Sequence, residues 1–222
     1  MARTTTGQSG RGRGDVRSAA ALTIALTGIA GTVGAASAQT SLDPFEADVV
    51  YEARVLDREV RTGAPLVEGV DGRYVVVHLE ENRVFVFEGD RAIWSSPSGT
   101  GTGFSLEVGG ETRWRFDTPR GLFKIKRMER DPVWIAPDWH FIEKGLPVPP
   151  PNHPSRRIAN GMGDTALYLG DGLAIHGTPY PQLLLNPDPD ARRVSHGCIR
   201  LTNEAARELM HMVEVGTPVL IF

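Results

Sequence analysis

The sequence predicts a mainly β fold, a compact β-sandwich or barrel-like domain with one C-terminal helix. Short runs rich in β-branched and aromatic residues recur along the chain, with Gly, Asn and Asp turn residues between them. Only one segment has convincing helical periodicity. The 222 residues are 41% hydrophobic and 23% charged, which is ordinary globular composition and enough chain for one sizeable core.

Residues 1–38 have the order of a secretory signal peptide. Four arginines precede an apolar run from 19 to about 33, and small residues follow at 34–38. This order predicts cleavage before Gln39 and an exported protein of the periplasm or cell envelope. The apolar run is shorter than the ~20 residues of a membrane-spanning helix, so a retained anchor is the weaker alternative.

The charge balance argues against a nucleic-acid partner. Removing residues 1–38 takes away four Arg and one Asp, which changes the net charge from −3 to −6. The remaining chain has no Lys/Arg cluster beyond the pairs at 156–157 and 192–193. Binding to phosphate backbones requires a clustered basic surface, so we expect no nucleic-acid function.

Residues 39–71 are predicted to be a linker or N-terminal extension. They are rich in Asp and Glu, with a possible short helix at 45–57 and helix-breaking Gly and Pro beyond it. From Gly72 the apolar pattern changes to a period of two, which begins the predicted domain at 72–222. Its predicted strands are 74–79, 83–87, 92–95, 121–128, 166–169, 173–176 and 218–222.

The C-terminal helix is predicted from its cap and its apolar face. Thr202 or Asn203 can cap it, Ala205 and Leu209 share a face, and Gly216 lies beyond its end. Two segments are predicted to be loops. Residues 144–157 contain five prolines and should form an ordered loop across a face of the sheet.

The second loop, 178–194, is long for a structureless connection and is predicted to be a lid over a cleft. Tyr180 and the leucines at 183–185 would then line a substrate channel. The alternative is that the three leucines fill the core.

Cys198 is the only cysteine in the chain, so it cannot form an internal disulfide. It is either a small buried hydrophobe or a free thiol with a function. A thiol with a pKa near 8.5 needs a base beside it to act as a nucleophile at neutral pH, and histidine can supply one. His176, at the end of an apolar strand, is the predicted base, which makes Cys198 the predicted nucleophile of an acyl-transfer enzyme.

The residues around Cys198 suit this chemistry. Gly197 permits a tight turn, so the Gly197 and Cys198 amides are expected to form an oxyanion hole. Ser195 would fix the imidazole tautomer or cap the turn, and His196 is expected to have an orienting role rather than a basic one. Arg200 would hold a substrate carboxylate or orient the loop.

His176-Gly177, followed by Ser195-His196-Gly197-Cys198-Ile199-Arg200, resembles the signature of L,D-transpeptidase catalytic domains, the YkuD family. The hairpin at 74–87, the Thr118-Pro119-Arg120-Gly121 segment and the approach at 168–177 extend the resemblance over roughly 72–222. It implies a mainly β catalytic domain in which His176 is the general base and Cys198 is acylated. The amides at 197–198 would form the oxyanion hole, and Gly177, Tyr180 and Arg200 are assigned to substrate binding.

The resemblance also implies the reaction. Cys198 would attack the carbonyl of an L-configured diamino acid in a peptidoglycan tetrapeptide stem, and the terminal D-alanine would leave. An amine from a second stem, a protein or a D-amino acid would then take the acyl group, with no cofactor. Gly177 and Arg200 stand where some members have Ser and Asn, which leaves the acceptor open.

Three alternatives remain at this point. His176, His196 and Cys198 are all zinc-ligand types, but the motif lacks a second cysteine, so no metal is expected. A catalytically silent cell-wall binding domain would keep the fold without the chemistry. An L,D-carboxypeptidase would use the same nucleophile and base with water as the acceptor.

Overall fold

The computed structural model describes residues 60–64, 66–70 and 72–222. The predicted signal peptide at 1–38 and the possible helix at 45–57 therefore lie outside the described residues. The predicted linker at 39–71 is described only from residue 60 onward. In the described part of the chain, no helix is long and apolar enough to cross a membrane.

The described chain is mainly β, which confirms the predicted fold class. The helices are α1 (Asp138–Glu143) and α2 (Asn203–Met212), with 3-10 turns at Pro154–Arg156, Pro181–Leu184 and Asp190–Arg192. The strands are β1 (Arg73–His78), β2 (Arg83–Glu88), β3 (Arg91–Pro97), β4 (Thr100–Gly101), β5 (Ser105–Val108), β6 (Glu111–Arg115), β7 (Gly121–Lys124), β8 (Arg127–Arg130), β9 (Val133–Ile135), β10 (Arg157–Ala159), β11 (Gly161–Gly170), β12 (Leu173–His176), β13 (Arg193–Ser195), β14 (Ile199–Arg200) and β15 (Pro218–Ile221). The predicted C-terminal helix is confirmed as α2, and Thr202 caps it by accepting from the Ala205 N–H.

Two main sheets enclose one core. One has five strands in the order β3-β2-β1-β15-β7, and the other has four in the order β14-β12-β11-β8. β1 runs parallel to β15 and β12 parallel to β14, while the other neighbours in these sheets are antiparallel. Valines of β1 and β2 share a buried cluster with apolar residues of β11, β12, β14 and α2. This is the sandwich form of the predicted fold.

The five-stranded sheet is buried on both faces. Val75 and Val77 of β1 belong to the core between the sheets, whereas Tyr74 and Val76 belong to a second cluster on the outer face. Successive side chains of a strand point to opposite faces, so a strand buried twice has a continuous apolar run. This explains the continuous apolar run at residues 74–77 of β1.

Residues 60–64 and 66–70 cover part of that outer face. Val60, Leu66, Val67 and Val70 pack against the second cluster. The backbone adds an isolated β-bridge, and the Ala92 N–H donates to the Val60 carbonyl at 3.0 Å. Over these described residues, the predicted extension is therefore part of the packed structure.

One predicted strand is wrong. The run at 121–128 divides into β7, which pairs with β15, and β8, which pairs with β11 in the other sheet. The change occurs at two residues whose amides have partners in different places: the Ile125 N–H donates to the Thr217 carbonyl, and the Lys126 N–H donates to the Tyr168 carbonyl. The other six predicted strands are confirmed as β1, β2, β3, β11, β12 and β15.

The proline-rich loop at 144–157 is organised by Arg156. Its buried guanidinium donates to the carbonyls of Ala136, Pro149 and Pro150 and pairs with the Asp138 carboxylate at 2.5 Å. Prolines have no N–H to form a ladder, so side-chain donors must satisfy carbonyls in such a segment. The Arg156 side chain therefore supplies hydrogen bonds that backbone N–H groups would supply in a strand or helix.

We expect Tyr74→Phe to lower the free energy of unfolding by about 1–2 kcal/mol, because two hydrogen bonds of the buried phenol are lost. Tyr74 Oη donates to the Gly89 carbonyl at 2.6 Å and accepts from the Leu66 N–H at 3.0 Å. Urea unfolding measures the change. Tyr180→Phe, which alters an exposed phenol, is the control, and an equal effect of the two substitutions would contradict the prediction.

Candidate active site

The site lies on the outer face of the four-stranded sheet. β12 and β14 are parallel, with Ile175 paired to Ile199 and His176 paired to Arg200. The two isoleucines are fully buried in the core, so the alternation of strand side chains places His176 and Arg200 on the opposite face. Cys198, two residues before Arg200, shares that face.

The surroundings of Cys198 support this placement. Its side chain packs on a small cluster distinct from the main core, formed by Met162, Ala166 and Ala174 with Trp134 and Tyr168. The sulfur lies 3.4 Å from the Gly172 carbonyl oxygen, to which a thiol can donate weakly. Burial raises the pKa of the thiol, while a backbone hydrogen bond at Ala174 and the charge of Arg200 act in the opposite direction. The free site therefore holds a thiol rather than a thiolate at neutral pH.

His176 is buried, with 5% of its surface exposed, and its Nδ1 lies 2.6 Å from the Gly177 carbonyl oxygen. A carbonyl only accepts, so Nδ1 carries a proton and a neutral ring has its lone pair on Nε2. Burial is the main reason that the pKa of His176 is lowered to about 4, and the charge of Arg200 also lowers it. Hydrogen bonds with the backbone of Gly177 and Met162 raise the pKa in opposition. The imidazole is neutral at pH 7 and can accept a proton.

Arg200 connects the predicted site residues electrostatically. Its charge acts on both His176 and Cys198. Burial lowers the pKa of Arg200, and interactions with Cys198 and Tyr180 raise it. Tyr180 is 57% exposed at the start of the loop after β12, and its N–H donates to Thr178 Oγ1 at 3.1 Å. The structure thus brings Arg200, Cys198, His176 and Tyr180 to one place.

The turn that carries Cys198 is held by two hydroxyl groups. Ser195 Oγ donates to the Cys198 carbonyl at 2.6 Å and accepts from the Gly197 N–H at 3.0 Å. Thr118 Oγ1 donates to the Gly197 carbonyl at 2.8 Å and accepts from the Gly101 N–H at 2.9 Å. Gly197 has φ +122°, a conformation that favours glycine.

This turn differs from the sequence-based expectation in the direction of the Gly197 N–H. Of the two alternatives for Ser195, the structure shows the cap: its hydroxyl bonds within residues 195–198. The Gly197 N–H is directed at Ser195 rather than at an open oxyanion position. The reason is that Ser195 Oγ satisfies both an amide and a carbonyl of the same tight turn.

Gly177 has no room for a side chain. A Cβ at Gly177 or at Gly163 would collide with the side-chain oxygen of Asn203, the first residue of α2. The Asp164 N–H also lies 3.4 Å from that oxygen. Asn203 therefore packs against the peptide whose carbonyl holds His176. The sequence indicated Asn203 only as a possible helix cap.

His196 points into a cluster on α1, which the sequence did not predict. Its ring stacks on Trp139 at 4.1 Å between centroids and 15° between planes, and meets the edge of Phe116 at 4.5 Å. Its Nε2 lies 3.0 Å from a Glu143 carboxylate oxygen. These contacts hold the His196 ring against Trp139, Phe116 and Glu143. Within the described residues, no group of three or more His, Cys, Asp and Glu side chains is arranged to hold a metal.

Comparison with known proteins identifies the family. The family model for the L,D-transpeptidase catalytic domain, YkuD, matches residues 72–221. The chain belongs to the YkuD family of L,D-transpeptidase catalytic domains. The resemblance stated from the Ser-His-Gly-Cys motif is thereby confirmed.

Two relatives of this L,D-transpeptidase domain are proteins named as probable L,D-transpeptidases. YbiS of Escherichia coli strain K12 is 32% identical over 151 residues, covering 65% of this chain and 43% of YbiS. ErfK/SrfK of Salmonella typhimurium is 33% identical over 153 residues, covering 66% of this chain and 43% of the relative. The match therefore spans less than half of the length of either relative.

Solved L,D-transpeptidase structures are also similar to this domain. The catalytic domain from Enterococcus faecium is 21% identical with a TM-score of 0.48, covering 69% of this chain and 99% of that one. The enzyme from Xylanimonas cellulosilytica is 24% identical with a TM-score of 0.47, covering 70% and 63%.

The loop at 178–194 of the transpeptidase domain contains two 3-10 turns rather than a structureless chain. Leu184 is buried, as the core-filling alternative expects, whereas Leu183 and Leu185 are each 40% exposed. Arg192 donates to the Asn186 carbonyl at 2.6 Å within the loop, and it attaches the loop to the rest of the domain by donating to the Glu81 carbonyl at 2.7 Å.

We expect His176 to make the domain less stable in acid. Its pKa is about 4 in the folded state and about 6.5 when unfolded, so between these pH values only the unfolded state binds the proton. The stabilisation is complete above pH 6.5 and is lost on acidification through pH 4, a change of about 3 kcal/mol. Urea unfolding of wild type and His176→Gln at pH 7 and pH 4 measures this difference. Parallel losses in the two proteins would contradict the assignment.

We expect Trp139→Ala to loosen the turn that carries Cys198. Loss of the ring that stacks on His196 should raise hydrogen exchange at residues 193–201 by roughly tenfold, the equivalent of an aromatic contact of about 1.4 kcal/mol. Exchange monitored by mass spectrometry gives the rate. Trp114→Ala, in the β5–β6 ribbon, is the matched control. If both variants exchange alike at 193–201, the stacking contact does not support the turn.

Proposed function

We propose that this domain is a peptidoglycan L,D-transpeptidase that forms a thioester on Cys198 with a tetrapeptide stem and transfers the acyl group to an amine. The supporting observation is that Cys198, His176 and Arg200 share one face of the four-stranded sheet in a chain of this family. The thiol and the base are offset by two residues on neighbouring strands. At about 4.8 Å between strands and about 3.3 Å per residue, their Cα atoms are roughly 8 Å apart, within reach of side chains on one face.

In the first half-reaction, the thiol proton passes to His176 Nε2 as the sulfur attacks the stem carbonyl. Burial makes both the thiolate and the imidazolium unfavourable in the free site, so proton transfer accompanies the attack instead of preceding it. The tetrahedral intermediate collapses with cleavage of the C–N bond. The imidazolium returns its proton to the leaving D-alanine amine, which leaves a thioester on Cys198.

In the second half-reaction, an acceptor amine attacks the thioester carbonyl. His176 takes a proton from the attacking nitrogen, the C–S bond breaks, and the sulfur recovers the proton as a thiol. A new amide is formed, and the enzyme returns to its initial protonation state. We propose the Cys198 N–H as a donor to the oxyanion in both halves, because the Gly197 N–H is directed at Ser195.

Arg200 has a defined electrostatic role in this scheme. Its charge favours negative charge developing on Cys198 and disfavours the imidazolium form of His176. An imidazolium with a pKa of about 4 is a strong acid, which suits protonation of a poor leaving group. The same cation is available to a substrate carboxylate.

The setting of the reaction follows from the sequence-based expectations. We propose export to the periplasm or cell envelope through residues 1–38, with the catalytic domain beginning near residue 72. The donor is a peptidoglycan stem peptide, and the acceptor is a second stem, a protein or a D-amino acid. The reaction needs neither a cofactor nor nucleic acid.

Intact-protein mass spectrometry with a disaccharide-tetrapeptide tests the proposal. Wild type should gain the mass of the acyl tripeptide unit, and dimer or amine adduct should appear in solution. Cys198→Ala should give neither, because the thiol is gone. Tripeptide without dimer or adduct would indicate an L,D-carboxypeptidase, and absence of any adduct or product from folded wild type would indicate a binding domain.

A further inference from the structure

A short segment, residues 99–102, lies along the turn that carries Cys198 and is called here the bracing segment. On the C-terminal side of Cys198, Gly99 and Arg200 exchange two backbone hydrogen bonds, at 2.7 and 2.8 Å. On its N-terminal side, the Ser195 carbonyl accepts from the last N–H of the bracing segment at 3.0 Å, and β4 pairs with β13. Both arms of the turn are therefore bonded to the same segment.

The bracing segment also reaches the centre of the turn through Thr118. The Gly101 N–H donates to Thr118 Oγ1 at 2.9 Å, and that hydroxyl donates to the Gly197 carbonyl at 2.8 Å. The packing here leaves no free space, because a Cβ at Gly101 would collide with the backbone at 116–118. In a close-packed contact, a shift of one partner is transmitted to the other. The position of the bracing segment therefore sets the position of Cys198.

Asn82 lies in the turn between β1 and β2, and its carboxamide holds two distant parts of the chain. The hydroxyl of Thr100, in the bracing segment, donates to the side-chain oxygen of Asn82. The side-chain NH2 of Asn82 donates to the Pro189 carbonyl, in the loop at 178–194, at 2.5 Å. Asn82 and Thr100 are both 0% exposed. One buried side chain therefore joins the β1–β2 turn, the bracing segment and the loop.

The backbone of Asn82 is held by the same two parts of the chain. The Ser98 N–H donates to the Asn82 carbonyl at 2.7 Å. The Arg192 guanidinium donates to the carbonyls of Glu81 at 2.7 Å and Asn82 at 3.3 Å. Ser98 directly precedes the bracing segment, and Arg192 belongs to the loop. The backbone and the side chain of Asn82 therefore fix the same junction.

The burial of Asn82 is unusual for a residue of its conformation. Its φ of +44° is in the left-handed region, which asparagine and aspartate tolerate in turns. In the described chain, the other non-glycine residues with positive φ are Asp131, Asn160 and Asp171, and all three are exposed. A turn alone therefore needs no buried carboxamide. Burying one costs free energy unless its polar atoms are hydrogen-bonded, and the two side-chain hydrogen bonds of Asn82 meet that requirement.

We propose that Asn82 is a positioning residue of the reaction, whose carboxamide fixes the bracing segment against the loop at 178–194 and thereby sets the position of Cys198. This inference rests on the proposed function for its effect on turnover. A carboxamide donates and accepts at once, which the junction requires. Aspartate would accept from the Thr100 hydroxyl but could not donate to the Pro189 carbonyl, and glycine would do neither.

The kinetics of Asn82→Gly test the proposal, because glycine removes the carboxamide and keeps the backbone conformation that φ +44° requires. We expect kcat for a tetrapeptide stem to fall by roughly 10- to 100-fold and KM to change by no more than about twofold, because Cys198 is displaced while the substrate contacts remain. Thr100→Val breaks the same hydrogen bond from its other end and should also lower kcat. Thr100→Ser keeps the hydroxyl and should retain kcat within about twofold.

Two controls separate positioning from loss of stability. Asn160→Gly introduces glycine at an exposed turn with φ +60°, and Tyr74→Phe is expected to destabilise the domain at the outer face of the other sheet. Both sites are remote from the Asn82 junction, so both variants should retain kcat within about twofold. Unchanged kcat in Asn82→Gly, or an equal loss in Tyr74→Phe, would overturn the proposal.

Hydrogen exchange at 99–102 and 195–201, and alkylation of Cys198 by iodoacetamide, test the junction without turnover. Asn82→Gly should raise both rates by roughly tenfold under native conditions, because a loosened turn opens its backbone hydrogen bonds and exposes the sulfur. Such rises in a protein whose wild type turns over no stem would support the link from Asn82 to Cys198 and contradict the transpeptidase proposal alone. Wild-type turnover with neither rate raised in Asn82→Gly would overturn the role of Asn82.

Discussion

The site depends on the parallel register between β12 and β14. With Ile175 opposite Ile199, both isoleucines are buried and His176, Arg200 and Cys198 share the outer face. A slip of one residue would exchange the two faces. Burial of an isoleucine contributes about 1.5–3 kcal/mol, more than a typical hydrogen bond at about 1 kcal/mol, so apolar packing sets the register and the positions of His176, Arg200 and Cys198 follow from it. On the side of β14 that faces away from β12, two backbone hydrogen bonds join Gly99 and Arg200, at 2.7 and 2.8 Å.

The Cys198 turn shows how a polar site is held inside an apolar framework. Thr118 is 79 residues from Gly197 in sequence, yet its hydroxyl supports the Gly197 carbonyl, while Ser195 closes the turn locally. Each hydroxyl both donates and accepts, so the buried carbonyl and amide groups at these contacts are satisfied without bound water. Burial keeps the Cys198 thiol and the His176 imidazole neutral, and the charge of Arg200 acts on both. The free site is therefore neutral at these two side chains and positive beside them.

Features with local signals were predictable from the sequence, and features made by distant partners were not. The β1–β2 hairpin and α2 have patterns within a few residues, and the motif at 176–177 and 195–200 was sufficient to indicate the family. By contrast, the division at Ile125 depends on amide partners at Thr217 and Tyr168, far away in the chain. The role of Asn203 was not predictable from the sequence for the same reason, because its contacts with Gly163 and Gly177 arise only once the sheet is formed.

The segment between β8 and β11 is coupled to the Cys198 turn more closely than a mobile lid would be. Its two ends are fixed because β8 and β11 pair with each other. Its interior is fixed by Arg156, whose guanidinium satisfies the carbonyls of the proline-rich loop. Its helix, α1, is fixed to the turn that carries Cys198 by the contacts of Trp139 and Glu143 with His196. Displacing this segment would require breaking the His196 contacts two residues from Cys198, so the position of the segment and the geometry of Cys198 change together.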